Sequence, residues 1–171
     1  MSKPVLSHDQ ALKKTILALL DESRVMSLAT LRPDGWPQVT TVGYVHDDLV
    51  LYFVVALTSQ KFLNIQHDPR VSVAIARDPI DRPRIRGLSM AALASQVTEK
   101  GDVVRLNKLI AARYPAYAVF APREASTMVF RATPTVISVV DDAKGVSQPR
   151  VLQVGAEAAI AVTLAEPRTV N

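Results

Sequence analysis

Residues 25–75 read VMSLATLRPDGWPQVTTVGYVHDDLVLYFVVALTSQKFLNIQHDPRVSVAI, and this stretch decides the fold. Val25 to Leu31 is strand-like and stops at Pro33-Asp34-Gly35, which is turn chemistry because glycine accepts positive φ. Gln38 to Tyr44 is rich in β-branched residues and predicts a second strand. His46-Asp47-Asp48 turns the chain, and Leu49 to Val55 predicts a third. Connections this short favour antiparallel neighbours. Thr58 and Ser59 stand where a helix cap belongs, before Lys61 to Gln66, and Asp68-Pro69 stops that helix. Val71 to Ala76 predicts a fourth strand.

On the N-terminal side, Ser7 to Gln10 has capping-box spacing. Leu12, Ile16, Leu19 and Leu20 follow at helical spacing, which predicts an amphipathic helix over 8–22. On the C-terminal side, a charged, proline-containing loop over 77–83 leads to a fifth strand over 85–97. Residues 98–113 place Val103, Leu106, Leu109 and Ile110 on one helical face. Residues 128–140 predict a final strand pair or one long bent strand, with Pro134 marking an edge or bulge. The chain divides into a domain over 1–143 and a C-terminal extension over 144–171 whose Ala- and Val-rich sequence carries no assignment. The pattern is mainly β with flanking helices and suggests a closed barrel with helices at its ends.

A chain of 171 residues with 49% apolar content suffices for one domain with a continuous core. The absence of cysteine excludes a disulfide framework and a thiolate metal site, and suits a reducing compartment. The apolar stretch Ile16 to Leu20 runs straight into Asp21 and Glu22, unlike a secretion signal. The longest apolar run, Leu49 to Leu57, falls well short of the roughly 20 residues a membrane helix needs. These features predict a soluble, cytoplasmic protein. A net charge of +4 suits nucleic acid or a phosphorylated cofactor equally. Only 5% of residues are aromatic, a poor stacking platform for single-stranded nucleic acid.

No metal-ligand spacing connects His8, His46 and His67, which read as solvated surface histidines. No nucleophile elbow, P-loop or dinucleotide fingerprint is present. No catalytic side chain is therefore assigned, and reactivity would come from a bound cofactor. Thr58-Ser59-Gln60-Lys61 suits one: two hydroxyls and an ammonium meet the free amides of a helix start, where a phosphate is favoured. The same residues also describe an ordinary Ser/Thr cap beside a solvated lysine.

Taken in order, Met26-Ser-Leu-Ala-Thr30, Pro33-Asp-Gly35, Pro37, Thr40-Thr-Val42, Leu51-Tyr-Phe53, Thr58-Ser-Gln-Lys61, Asn64 and Asp68-Pro-Arg-Val-Ser-Val73 resemble the pyridoxamine 5′-phosphate oxidase-like superfamily. The likeness to these FMN-binding split barrels runs over about 8–140. It implies a homodimer with FMN at the interface, walled by both subunits. Ser59 and Lys61 match the phosphate grip, with Thr58 and Gln60 beside them. Many oxidases of the family carry arginine where this chain has Gln60. Thr40, Thr41, Val42 and Gly43 match positions along the flavin ring and ribityl chain, and Phe53 and Val54 match positions at the ring. Thr40 and Thr41 also fit plain strand propensity, and Phe53 and Val54 plain core packing.

The resemblance implies an FMN-dependent oxidoreductase moving a hydride or electrons between a reduced nicotinamide donor and a small acceptor. True pyridoxamine phosphate oxidases carry a C-terminal arginine and histidine for the substrate phosphate. Nothing after Val140 matches them, so that activity is not expected. A deazaflavin-dependent reductase and a non-catalytic flavin-binding or sensing protein are the alternatives. Arg84 and Arg86, with Arg82, suit a second anionic group or a solvated edge strand. Trp36 and Tyr114-Pro115 suit either the border of a pocket at the dimer seam or packing.

Overall fold

The computed structural model describes residues 8–77, 85–114, 126–141 and 149–154. Its elements are α1 (His8–Glu22), β1 (Val25–Leu31), β2 (Pro37–Gly43), β3 (Val45–Asp47), β4 (Val50–Ala56), α2 (Gln60–His67), β5 (Arg70–Arg77), β6 (Arg86–Gln96), α3 (Lys100–Arg113), β7 (Thr127–Asp141) and β8 (Arg150–Gln153). The capping residue expected at Ser7 lies outside the described residues, as do Arg82 and Arg84.

The β1–β2 hairpin turns where glycine was expected to turn it. Gly35 takes φ +84° and donates its amide to the Arg32 carbonyl at 2.8 Å. The following turn differs from the sequence reading. Val45–Asp47 forms a short strand against Val50–Tyr52, and the reversal falls on Asp48, at φ +51°, and Leu49. Aspartate tolerates the left-handed region, so a tight reversal fits there and frees His46 for the strand.

The sheet order is β2-β1-β5-β6-β7-β4-β3, with each neighbouring pair antiparallel and β8 paired to β7. β7 is one long strand. Its register against β6 slips beside Pro134, and Thr135 is the extra residue, whose hydroxyl donates to the Ala91 carbonyl at 3.2 Å. A proline cannot donate to a ladder, so the bulge falls where that loss costs least. The bulge divides β7's other edge: Thr127–Ala132 pairs with β4, and Val136–Val139 pairs with β8. The 144–171 segment thus contributes a strand to the sheet. Close approach of β5 and β6 requires Gly87, where a Cβ would stand 2.5 Å from the Ile75 carbonyl oxygen.

The strands alternate as a one-sided sheet should. Met26, Leu28, Val73, Ile75, Leu88, Met90, Ile137 and Val139 turn inward and pack with Leu12, Ile16, Leu19 and Leu20 of α1. A second apolar cluster joins Val45, Tyr52 and Val129 to Leu106 and Ile110, fastening α3 over β3, β4 and β7. Polar ties reinforce it: Arg105 reaches the Tyr52 hydroxyl at 2.6 Å and Asp47 at 2.9 Å. Among the described residues no helix is long and apolar enough to cross a membrane.

Because β2 runs through Tyr44 directly into β3, the sheet curls until its ends meet. β2 touches β4 without ladder pairing. β3 covers β4 only as far as Tyr52, so from Phe53 onward that edge of β4 has no ladder partner among the described residues. A split therefore runs between β2 and β4.

Candidate functional site

The sequence-predicted residues fall into two groups along this split. The first is the start of α2. Ser59 is its N-cap in extended backbone, and its hydroxyl accepts from the Phe62 amide at 3.2 Å and donates to the Ala56 carbonyl at 2.7 Å. Thr58 is exposed beside it. The Gln60 amide donates to Asn64 Oδ1 at 2.9 Å. Asn64, fully buried, donates in turn to Thr30 Oγ1 at 2.9 Å and to Gln38 Oε1 at 3.0 Å. This network ties the helix to β1 and β2. Sequence reasoning placed Asn64 in the motif series but not at a network's centre, because its partners lie 26 and 34 residues away.

Lys61 follows the cap. It is half-buried and has no counter-ion among the described residues, and burial pushes its ammonium below the usual lysine range. An ion desolvated without a partner is costly, and a bound anion relieves that cost. The solvated lysine that the sequence also allowed is not what the structure gives.

The second group lies along the strands. On β2, Gln38, Thr40 and Val42 turn inward, while Thr41 is exposed on the other face. Thr40 sits between Gln38, which is bonded to α2, and Val42, which lines a cavity. Its hydroxyl oxygen is buried without a hydrogen-bond partner among the described residues. A buried orphan hydroxyl of this kind calls for a missing polar neighbour.

The cavity holds about 350 Å³, within the size range of small-molecule sites. Val42, Gly43, Tyr44 and Val45 line one side and Tyr52, Phe53 and Val54 another. Val129 and the α3 side, Leu106, Ile110 and Tyr114, close it, with Arg24 and Val25 at the start of β1. Four expected residues, Val42, Gly43, Phe53 and Val54, thus line the same cavity. Phe53 also stacks on Phe130, with centroids 6.0 Å apart, so its packing role holds as well.

Three tyrosines border the cavity with their hydroxyls committed. Tyr44 donates to the Leu20 carbonyl at 2.8 Å, and burial pushes its phenol up to about 12. Tyr114 donates to the carbonyls of Arg24 and Tyr44 at 2.9 and 3.0 Å. Tyr52 accepts from Arg105. Of the two candidate pocket aromatics, Tyr114 lines this cavity and Trp36 is 71% exposed on its hairpin. Arg24 went unnoticed in the sequence, since a lone arginine before a strand carries no pattern.

Arg86 forms a two-pronged pair with Glu22, at 2.9 and 3.0 Å. His46 is not solvated: its side chain is 11% exposed, with Nε2 2.9 Å from Asp21 and Nδ1 3.0 Å from the Asp48 carbonyl.

Residues 12–141 match the family model described as pyridoxamine 5′-phosphate oxidase. No curated protein matches the chain. A Listeria innocua protein provisionally named a pyridoxamine 5′-phosphate oxidase is 25% identical with a TM-score of 0.59, over 75% of this chain and 97% of its own. General stress protein 26 of Bacillus anthracis is 23% identical with a TM-score of 0.63, over 84% of this chain and 98% of its own. The heme storage protein HutZ of Vibrio cholerae is 18% identical with a TM-score of 0.63, over 83% of this chain and 94% of its own. The last two likenesses speak to the fold alone.

Proposed function

This chain belongs to the pyridoxamine 5′-phosphate oxidase family, and from that premise we propose that it binds FMN and serves as a flavin-dependent oxidoreductase. The observation that carries the reading is Lys61, a half-buried cation beside the Ser59 cap with no counter-ion among the described residues. The residues fit the cofactor. A phosphate at the start of α2 meets the helix amides and the Lys61 ammonium. The orphaned Thr40 hydroxyl lies on the inner face of β2, between α2 and the cavity, and suits the polar ribityl chain. The edge of β4 from Phe53, without a ladder partner among the described residues, offers backbone groups to the ring's polar rim.

FMN, when bound, supplies the hydride and electron transfer. The chain's own part is to hold, orient and shield the cofactor. Gln60, bonded to Asn64, adds no charge to the phosphate seat, so Lys61 carries its electrostatics.

A heme reading has HutZ as its reason. Among the described residues lining the cavity, no histidine or methionine offers an axial ligand, and both ring nitrogens of nearby His46 are bonded.

The test is a flavin titration read by fluorescence quenching. FMN is expected to bind near one per subunit, and Lys61→Met to raise the Kd roughly ten- to a hundred-fold, the loss of one charge-assisted contact. A protein that ignores FMN but takes up a deazaflavin coenzyme or ferric heme overturns the cofactor assignment. Reduction of the bound flavin by NADH or NADPH supports turnover, and a flavin that stays oxidised supports the non-catalytic sensor instead.

A further inference from the structure

We propose that the cavity beside α3 is the seat of a second small molecule, a flat and mostly apolar carboxylic acid whose carboxylate pairs with Arg24 at the cavity mouth. The walls set the chemistry of the body. Val42, Val54, Leu106, Ile110 and Val129 present only hydrocarbon. The hydroxyls of Tyr44 and Tyr114 donate to backbone carbonyls and that of Tyr52 accepts from the Arg105 guanidinium, so each already has a polar partner. A polar group on the ligand's body would lose its water and gain little in return.

The mouth sets the charge. Arg24 is the charged side chain among the described lining residues, is exposed, and has no carboxylate partner among the described residues. Its guanidinium lies 5.7 Å from the centroid of the Tyr114 ring. Its backbone is held to the same rim, since its carbonyl accepts from the Tyr114 hydroxyl at 2.9 Å and the Tyr44 amide at 3.3 Å. An apolar chamber with a single planar fork at its entrance matches a monoanion with a flat carboxylate. A phosphate would seek more charge than one guanidinium, and the seat at α2 offers it the helix amides as well.

This inference rests on the flavin reading only for where the acid lies: Val42, Gly43, Phe53 and Val54 would then be a wall shared with the flavin ring. Binding itself needs no flavin. The experiment is calorimetric titration of 2-naphthoate and of its neutral counterpart 2-naphthamide, into protein with and without saturating FMN. The carboxylate is expected to bind roughly five- to ten-fold more tightly than the amide. Arg24→Gln should erase that preference while leaving FMN affinity and the melting temperature unchanged. Equal affinity for both probes, a preference that survives Arg24→Gln, or no binding of either probe overturns the proposal. So does full competition by FMN, which would make the cavity the cofactor's own; failure to bind FMN at all, with the carboxylate preference intact, would sink the flavin reading alone.

Discussion

Asn64 shows how one side chain holds the split barrel in register with its helix. It is completely buried and makes three hydrogen bonds, to Thr30, Gln38 and Gln60, that span β1, β2 and α2. Replacing it with alanine removes one amide but strands its partners as well, and unmade buried hydrogen bonds cost more than made ones contribute. Asn64→Ala is expected to lose about 2–4 kcal/mol of stability, measured by urea unfolding. If the loss is below about 0.5 kcal/mol, the network is not holding α2. Lys61 gives the opposite sign. Its ammonium is penalised by burial, so the folded pKa lies below the unfolded one and the charged form costs stability throughout the neutral range. That cost is relieved as the pH rises through the folded pKa toward the ordinary lysine value. Flavin-free Lys61→Met should therefore be at least as stable as the parent at pH 7, with the advantage shrinking in the alkaline range. At this scale the capped start of α2 with its half-buried lysine was legible in the sequence because Ser59 to Lys61 are consecutive. The cavity was legible only in part: Val42, Gly43, Phe53, Val54 and Tyr114 stood out in the sequence, but Arg24, Tyr52 and Ile110 join them only after the sheet has curled.

The elements that could be read directly were those with local punctuation: α1 and α2 with their apolar spacing, and the β1–β2 hairpin with Gly35. β3 and β8 could not, because strands of three and four residues have too few positions for a period and exist by pairing with distant partners. α2 also ends on a titratable group. Asp68 is its C-cap, and its amide donates to the Asn64 carbonyl at 2.8 Å. Hydrogen bonds from the Arg70 side chain and amide lower its carboxyl from 3.8 to about 2. A carboxylate with a depressed folded pKa stabilises the fold above the unfolded value and loses that contribution as pH falls from about 4 toward about 2. Arg70 is 71% exposed, so solvent screens the pair and its contribution is small. Asp68→Asn should thus be less stable than the parent at pH 7, with the two urea midpoints converging as the pH falls through about 4 toward about 2. A gap that stays constant with pH would assign the loss to cap geometry and leave no role for the ion pair.

At the scale of the whole molecule, the outer face of the sheet is what a single copy leaves unexplained. Cross-strand register sets Thr41, Ser27, Ala74, Ser89, Ser138 and Val151 in one row, and Val39, Ala29, Ser72, Ala91, Val136 and Gln153 in the next. Twelve aligned positions across six strands carry no charge, and Val39 is 64% exposed. A solvated face of an antiparallel sheet ordinarily carries charged and long polar side chains. Small, neutral side chains instead make a flat surface that a second copy can meet closely, and a twofold axis through the face would match it with itself. The expected oligomer is therefore a homodimer, and sedimentation at micromolar concentration should give twice the subunit mass. Ala74→Arg adds a long cation at an exposed position between Ser27 and Ser89, so the fold has room for it while the opposing copy does not. The variant should sediment as a monomer with little change in its melting temperature. If both subunits wall the flavin, it should bind FMN more weakly as well. A parent protein that is itself monomeric, or an Ala74→Arg variant that remains dimeric, would move the interface off this face and leave its missing charges to another cause.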